Sequence, residues 1–117
     1  MLTQQTFHTA SSKTPQYLAW FRLFKKEFTK HLVDNCGVLK SDIEIGKPNH
    51  FDMSGFFKKN DQWIYFRIGD LRWNKNEMLI RIAKSNKDYS GGSNNYIILC
   101  DYDHFVSGLD KFLLRFA

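Results

Sequence analysis

The chain has 117 residues, enough for one self-supporting domain and too few for two ordinary ones. Its apolar fraction of 43% and aromatic fraction of 16% exclude an intrinsically disordered class, and eleven Phe are a heavy load, so some rings are expected outside the core or in an interface. A formal charge of +5 and a pI near 9.3 favour encounters with nucleic acid, an anionic membrane surface or an acidic protein, with simple solubility as the plainer explanation.

Residues 1–13 are polar, rich in Thr, Gln and Ser, and carry neither an apolar run nor a cleavage signature. They are expected to be a flexible lead without a signal peptide. No apolar stretch approaches the roughly 20 residues needed to span a bilayer, so the expected protein is soluble and cytoplasmic, with no membrane partner. Thr14-Pro15 is a helix start and Gly37 a helix stop. Between them Tyr17, Trp20, Phe21, Phe24, Phe28 and Leu32 recur at three- and four-residue steps and predict one buried stripe. Arg22, Lys26 and Lys30 lie opposite it at successive four-residue steps, with Lys25 beside them. Such a row is either an ordinary solvated face or a contact for an anionic ligand.

Residues 42–47 alternate Ile43 and Ile45 with Asp42 and Glu44, which fits a short strand or an extended lead-in. The run 51–57 alternates Phe51, Met53, Gly55 and Phe57 against Asp52, Ser54 and Phe56, and Lys58-Lys59-Asn60-Asp61 supplies turn residues. The clearest strand is 62–73, with Ile64, Phe66 and Ile68 on one side and Trp63, Tyr65, Arg67, Leu71 and Trp73 on the other. Asn74-Lys75-Asn76 reads as a hairpin turn. A strand over 78–84 follows, with Met78, Ile80 and Ile82 facing the core and Arg81 outward beside Leu79 and Ala83. The segment 86–95, with Gly91-Gly92 among polar residues, reads as a mobile loop, and 96–100 as another strand. Asp101 is a cap for a closing helix whose Phe105, Val106, Leu109, Phe112, Leu113 and Phe116 share a face, leaving Leu114 opposite.

The predicted fold is α+β. An N-terminal amphipathic helix precedes an antiparallel four-stranded sheet, to which 42–47 could add a short fifth strand, and a C-terminal amphipathic helix follows. Both helices cover one face of a single domain over 14–117, and the other face stays open.

Little in the chain suggests catalysis. Cys36 and Cys100 lack ligand spacing with each other and with His8, His31 and His104, so no metal site, cofactor or disulfide is expected, in keeping with a reducing compartment. His50, Asp52 and Asp70 could share a sheet face as a metal-dependent nuclease site, but no acidic residue stands in the glutamate-x-lysine pattern of many nuclease strands. Ser90-Gly91-Gly92-Ser93 lacks the Gly-Lys-Ser/Thr ending of a phosphate-binding loop. Binding is better served. Trp63 and Tyr65 alternate with Arg67, and Arg81 has the same outward parity on the next strand. Together they offer the stacking rings and positive charge that a single strand of DNA or RNA requires. Lys84 and Lys87 are candidate phosphate contacts beside the glycine-rich segment. A second buried face under a helix or a dimer partner would produce the same pattern.

The passage QWIYFRIGDLRWNKNEMLIRIAKS, a glycine-containing loop, and NNYIILCDYDHFVSGLDKFLLRF resemble, over about residues 50–117, the strand-loop-strand-helix unit of PUR-like and positive-coactivator-like (whirly-type) proteins. The resemblance implies a curved antiparallel sheet that binds single-stranded nucleic acid, a helix packed behind it, and dimerisation of two such units. By position it makes Trp63, Tyr65, Arg67 and Arg81 sheet-face contacts, and Lys58 and Lys59 hairpin contacts. The expectation is therefore a non-enzymatic, dimeric nucleic-acid-binding protein, with Arg22, Lys26 and Lys30 as auxiliary contacts. The alternative is a small phage- or mobile-element-encoded inhibitor that binds a nucleic-acid-processing defence protein of the host.

Overall fold

The computed structural model describes residues 14–46, 53–69 and 77–116, with backbone alone for 14–18. Helix α1 (Thr14–Cys36) forms where the apolar stripe predicts it, and Trp20, Phe21, Phe24, Phe28 and Leu32 are all buried. It stops at Gly37, whose φ of 71° is the left-handed geometry that glycine adopts without a Cβ penalty. The Val38 N–H then folds back onto the Leu32 carbonyl at 3.0 Å. A short 3₁₀ turn (Lys40–Asp42) leads into β1 (Ile43–Ile45).

Strands β2 (Met53–Lys59) and β3 (Gln62–Ile68) form a hairpin in which both turn residues, Asn60 and Asp61, have positive φ. Two such residues give a turn whose twist matches that of the flanking strands. Next come β4 (Glu77–Ser85), β5 (Asp88–Gly91), β6 (Asn95–Ile98) and helix α2 (Tyr102–Leu113), with a 3₁₀ turn at Leu114–Phe116. The order across the sheet is β1-β2-β3-β4, and every pairing is antiparallel. Both β6 and β5 pair with β4, β6 along its first half and β5 along its second.

Period-two alternation sends Met53, Phe57, Ile64, Phe66, Ile68, Met78 and Ile80 to one face, where they are buried. Phe28 of α1 meets Phe57 and Phe66 edge-on, with ring centres 6.0 and 5.0 Å apart, and Phe105 of α2 packs on Phe24 and Phe28 at 5.1 and 5.6 Å. Helices and sheet thus share one core. Asp101 caps α2 as expected, its carboxylate accepting the His104 backbone N–H at 2.8 Å. Leu114 is exposed. Among the described residues no helix is long and apolar enough to cross a membrane.

The sheet corrects two expectations. Among the described residues it has six strands, where four with a possible fifth were predicted, because the supposed mobile loop at 86–95 contains a turn and the strand β5. Its glycines serve close approach: a Cβ on Gly91, whose φ is 148°, would lie 2.8 Å from the Ile82 carbonyl oxygen, and Gly92 N–H donates to that same oxygen at 3.0 Å. The strand predicted to reach residue 73 is described as far as Ile68. The remaining expectations for His8, His50, Phe51, Asp52, Asp70, Leu71, Trp73, the 74–76 turn, the 1–13 lead and the Tyr17 side chain fall outside the described residues.

Candidate nucleic-acid interface

The face of the sheet turned away from the helices is set by register. One row runs Glu44, Phe56, Tyr65, Arg81 across β1 to β4. On one side of it Lys58 pairs with Trp63, and on the other Ser54, Arg67, Leu79 and Tyr96 stand in line. The predicted Trp63, Tyr65, Arg67 and Arg81 therefore do share a face. Phe56 and Tyr65 pack with ring centres 5.3 Å apart, and the Lys58 ammonium lies 5.9 Å from the centre of the Trp63 ring.

That face is only partly open. The ribbon of β4 and β5 leans across it, bringing Tyr89 over Tyr65 with ring centres 5.4 Å apart. At the tip of the ribbon Asn86 donates to the Glu44 carboxylate at 2.7 Å. Backbones of β1 and β4 stand about 14 Å apart across three strand spacings, so this bond requires the ribbon to bend toward β1. A register shift between Ala83 and Ser85 supplies the bend, since a bulge increases local twist.

The bend changes the role of Arg81. Its guanidinium sits 5.4 Å from the ring centres of both Tyr65 and Tyr89, and Nη1 donates to the Asn94 side-chain oxygen at 3.0 Å. Its Nε is buried and has no hydrogen-bond partner among the described residues. Arg81 is thus a cation packed against both rings, as far from each ring centre as the two centres are from one another, and its first role is to fix the ribbon on the sheet. The exposed parts of the face flank the ribbon. Arg67, Tyr96 and Ile98 lie on the β6 side, the last two 57% and 64% exposed, and Tyr89 is 59% exposed.

Other predicted contacts lie elsewhere. Lys59 has inward parity and donates to the Cys36 carbonyl at the end of α1, so it closes that helix instead of presenting a charge at the hairpin. Lys58 keeps outward parity, 3.8 Å from the Asp61 carboxylate. Lys84 and Lys87 are exposed near the ribbon turn, at the same end of the sheet as Lys58 and Trp63. Arg22, Lys26 and Lys30 are also exposed, but α1 buries its other side against the core, which puts them on the far side of the molecule from the sheet face. There, with Lys25, Lys40 and Asp34, they line a separate shallow groove of about 490 Å³.

Phe56, Tyr89 and Tyr96 belong to the face and were not singled out from the sequence. Phe56 was legible in the alternation of β2, and Tyr96 in that of the last strand. Tyr89 was hidden because its segment reads as a loop. A search of protein-family models, curated proteins and solved structures finds no match to this chain.

Proposed function

We propose that this chain binds single-stranded nucleic acid on the outer face of its sheet, without catalysing a reaction. The observation that carries the reading is the gathering of Phe56, Trp63, Tyr65, Tyr89 and Tyr96 on one face with Lys58, Arg67 and Arg81. Bases stack on such rings at roughly 1 to 3 kcal/mol each, while the cations answer the phosphates. Two pairs of ring and charge flank the ribbon, the half-buried Trp63 with Lys58 on one side and the exposed Tyr96 with Arg67 on the other. In this reading two chains share one strand, as the PUR-like resemblance implies.

The test is fluorescence anisotropy with labelled single-stranded DNA and RNA at two salt concentrations, for the native chain and for Trp63→Ala and Arg67→Ala/Tyr96→Ala. Binding should fall steeply with salt, because phosphate contacts release counterions, and each variant should bind at least ten-fold more weakly. A folded native chain that binds neither oligonucleotide would overturn the proposal. Light scattering of the complex reads the two-to-one stoichiometry.

One observation favours the second reading, a small inhibitor of a nucleic-acid-processing protein. Ile98 is highly exposed beside Tyr96, and an apolar pair suits a protein surface better than a phosphate backbone. Stoichiometric capture of such a protein, with no oligonucleotide binding, would favour it.

A further inference from the structure

On the other side of the core, where the last turn of α1 meets α2, three side chains of different chemistry converge. The His31 imidazole is 6% exposed, and its Nε2 lies 2.9 Å from Asp110 Oδ1. The Cys36 thiol, on a residue 8% exposed, donates to that same oxygen at 3.7 Å. All three potential ligand atoms lie within 4.8 Å of one another. The Asp110 side chain is 53% exposed and opens the group to solvent beside a pocket of about 220 Å³.

The geometry points to a binding site for a divalent cation of the zinc class, with His31 Nε2, Cys36 Sγ and Asp110 Oδ1 as its three protein ligands. Tetrahedral bonds of roughly 2.0 to 2.3 Å place such ligand atoms about 3.4 to 3.6 Å apart, so sub-ångström to ångström shifts of side-chain ends accommodate the ion. Imidazole, thiolate and carboxylate together suit zinc, and three protein ligands leave a fourth position for water on the Asp110 side. Asn35 completes the arrangement. Its side-chain amide lies 3.0 Å from His31 Nδ1, and with the amide turned its oxygen accepts the Nδ1–H of a ring bound through Nε2.

Binding exchanges protons for the metal: the Cys36 thiol proton leaves to solvent, and the imidazole carries its single proton on Nδ1. Without metal the thiol is held protonated, since burial and the Asp110 charge raise its pKa to about 11 against a smaller lowering by Lys59. Coordination overrides this, because a metal-bound thiol is deprotonated. The second mixed cluster, Cys100, Asp101 and His104, differs in that its carboxylate already serves as the cap of α2.

The experiment titrates the purified full chain with Co²⁺ and then displaces it with Zn²⁺, following thiolate-to-cobalt charge-transfer absorption in the near ultraviolet. One equivalent should produce the band, and one equivalent of Zn²⁺ should remove it. Cys36→Ser should abolish the band and Asp110→Asn should weaken binding at least ten-fold, while Cys100→Ser should leave it unchanged. Asp110 is half exposed, so Asp110→Asn remains informative if Cys36→Ser does not fold. Absence of the band in a chain folded by circular dichroism would overturn the site and reduce the cluster to a hydrogen-bonded helix clamp. A band that survives Cys36→Ser, or disappears in Cys100→Ser, would also overturn it.

Discussion

Phe28 touches Phe24, Phe57, Phe66 and Phe105 and is fully buried, which makes one side chain the junction of both helices and two strands. Replacing it with Ala removes a ring that no neighbour can replace by a small shift, so Phe28→Ala should cost about 3 to 5 kcal/mol in urea unfolding. Asp101 acts through charge. The His104 backbone N–H, and then its side chain, hold the Asp101 carboxyl below the usual carboxylate range. A carboxyl depressed in the folded state contributes stability above its unfolded pKa, and that contribution is lost as pH falls through the folded value. Asp101→Asn keeps a good capping residue without the charge. Its urea midpoint should therefore lie below that of the native chain at neutral pH and fall less on acidification, with the difference closing at low pH.

At the scale of elements, the period-two and helical patterns located β2, β3, β4 and both helices, because each has one face in the core and burial imposes its own period on the sequence. Strand β5 left no such signature. All four residues of β5 are exposed, so there is no inward side to alternate with, and its polar, glycine-rich composition reads as a loop. What holds it is the approach of Gly91 to Ile82 and the packing of Arg81 against both Tyr65 and Tyr89. Gly91→Ala should thus destabilise by more than about 1 kcal/mol, since it meets a backbone oxygen at positive φ. Hydrogen exchange should show the Gly92 amide losing protection before those of β2 and β3.

At the scale of the molecule, two groups of described basic residues lie on different surfaces. Arg67, Arg81 and Lys58 belong to the sheet face, while Arg22, Lys26 and Lys30 lie behind the core in a body 24 Å across its shortest dimension. At physiological ionic strength charges are screened over about 8 Å, so the helix row contributes little to a ligand on the sheet. Lys26→Glu/Lys30→Glu should change oligonucleotide affinity less than three-fold at that salt, against at least ten-fold for Arg67→Ala/Tyr96→Ala in the same anisotropy measurement. A larger effect of the helix variant would place the nucleic acid on α1.

The α+β class, the two amphipathic helices, the caps at Gly37 and Asp101 and the shared parity of Trp63, Tyr65, Arg67 and Arg81 are legible in the order of residues alone. All of these follow from local conformation or from a period set by one-sided burial. Which cations remain available depends on the packing of the whole chain: Lys59 turns to the end of α1, Arg81 packs against the rings of Tyr65 and Tyr89, and Arg22, Lys26 and Lys30 face away. The tertiary structure also brought Asp110 to His31 and Cys36 across more than 70 residues of chain. No spacing rule can show such a meeting, because it is made by the packing of α2 on α1, and packing is a property of the whole core.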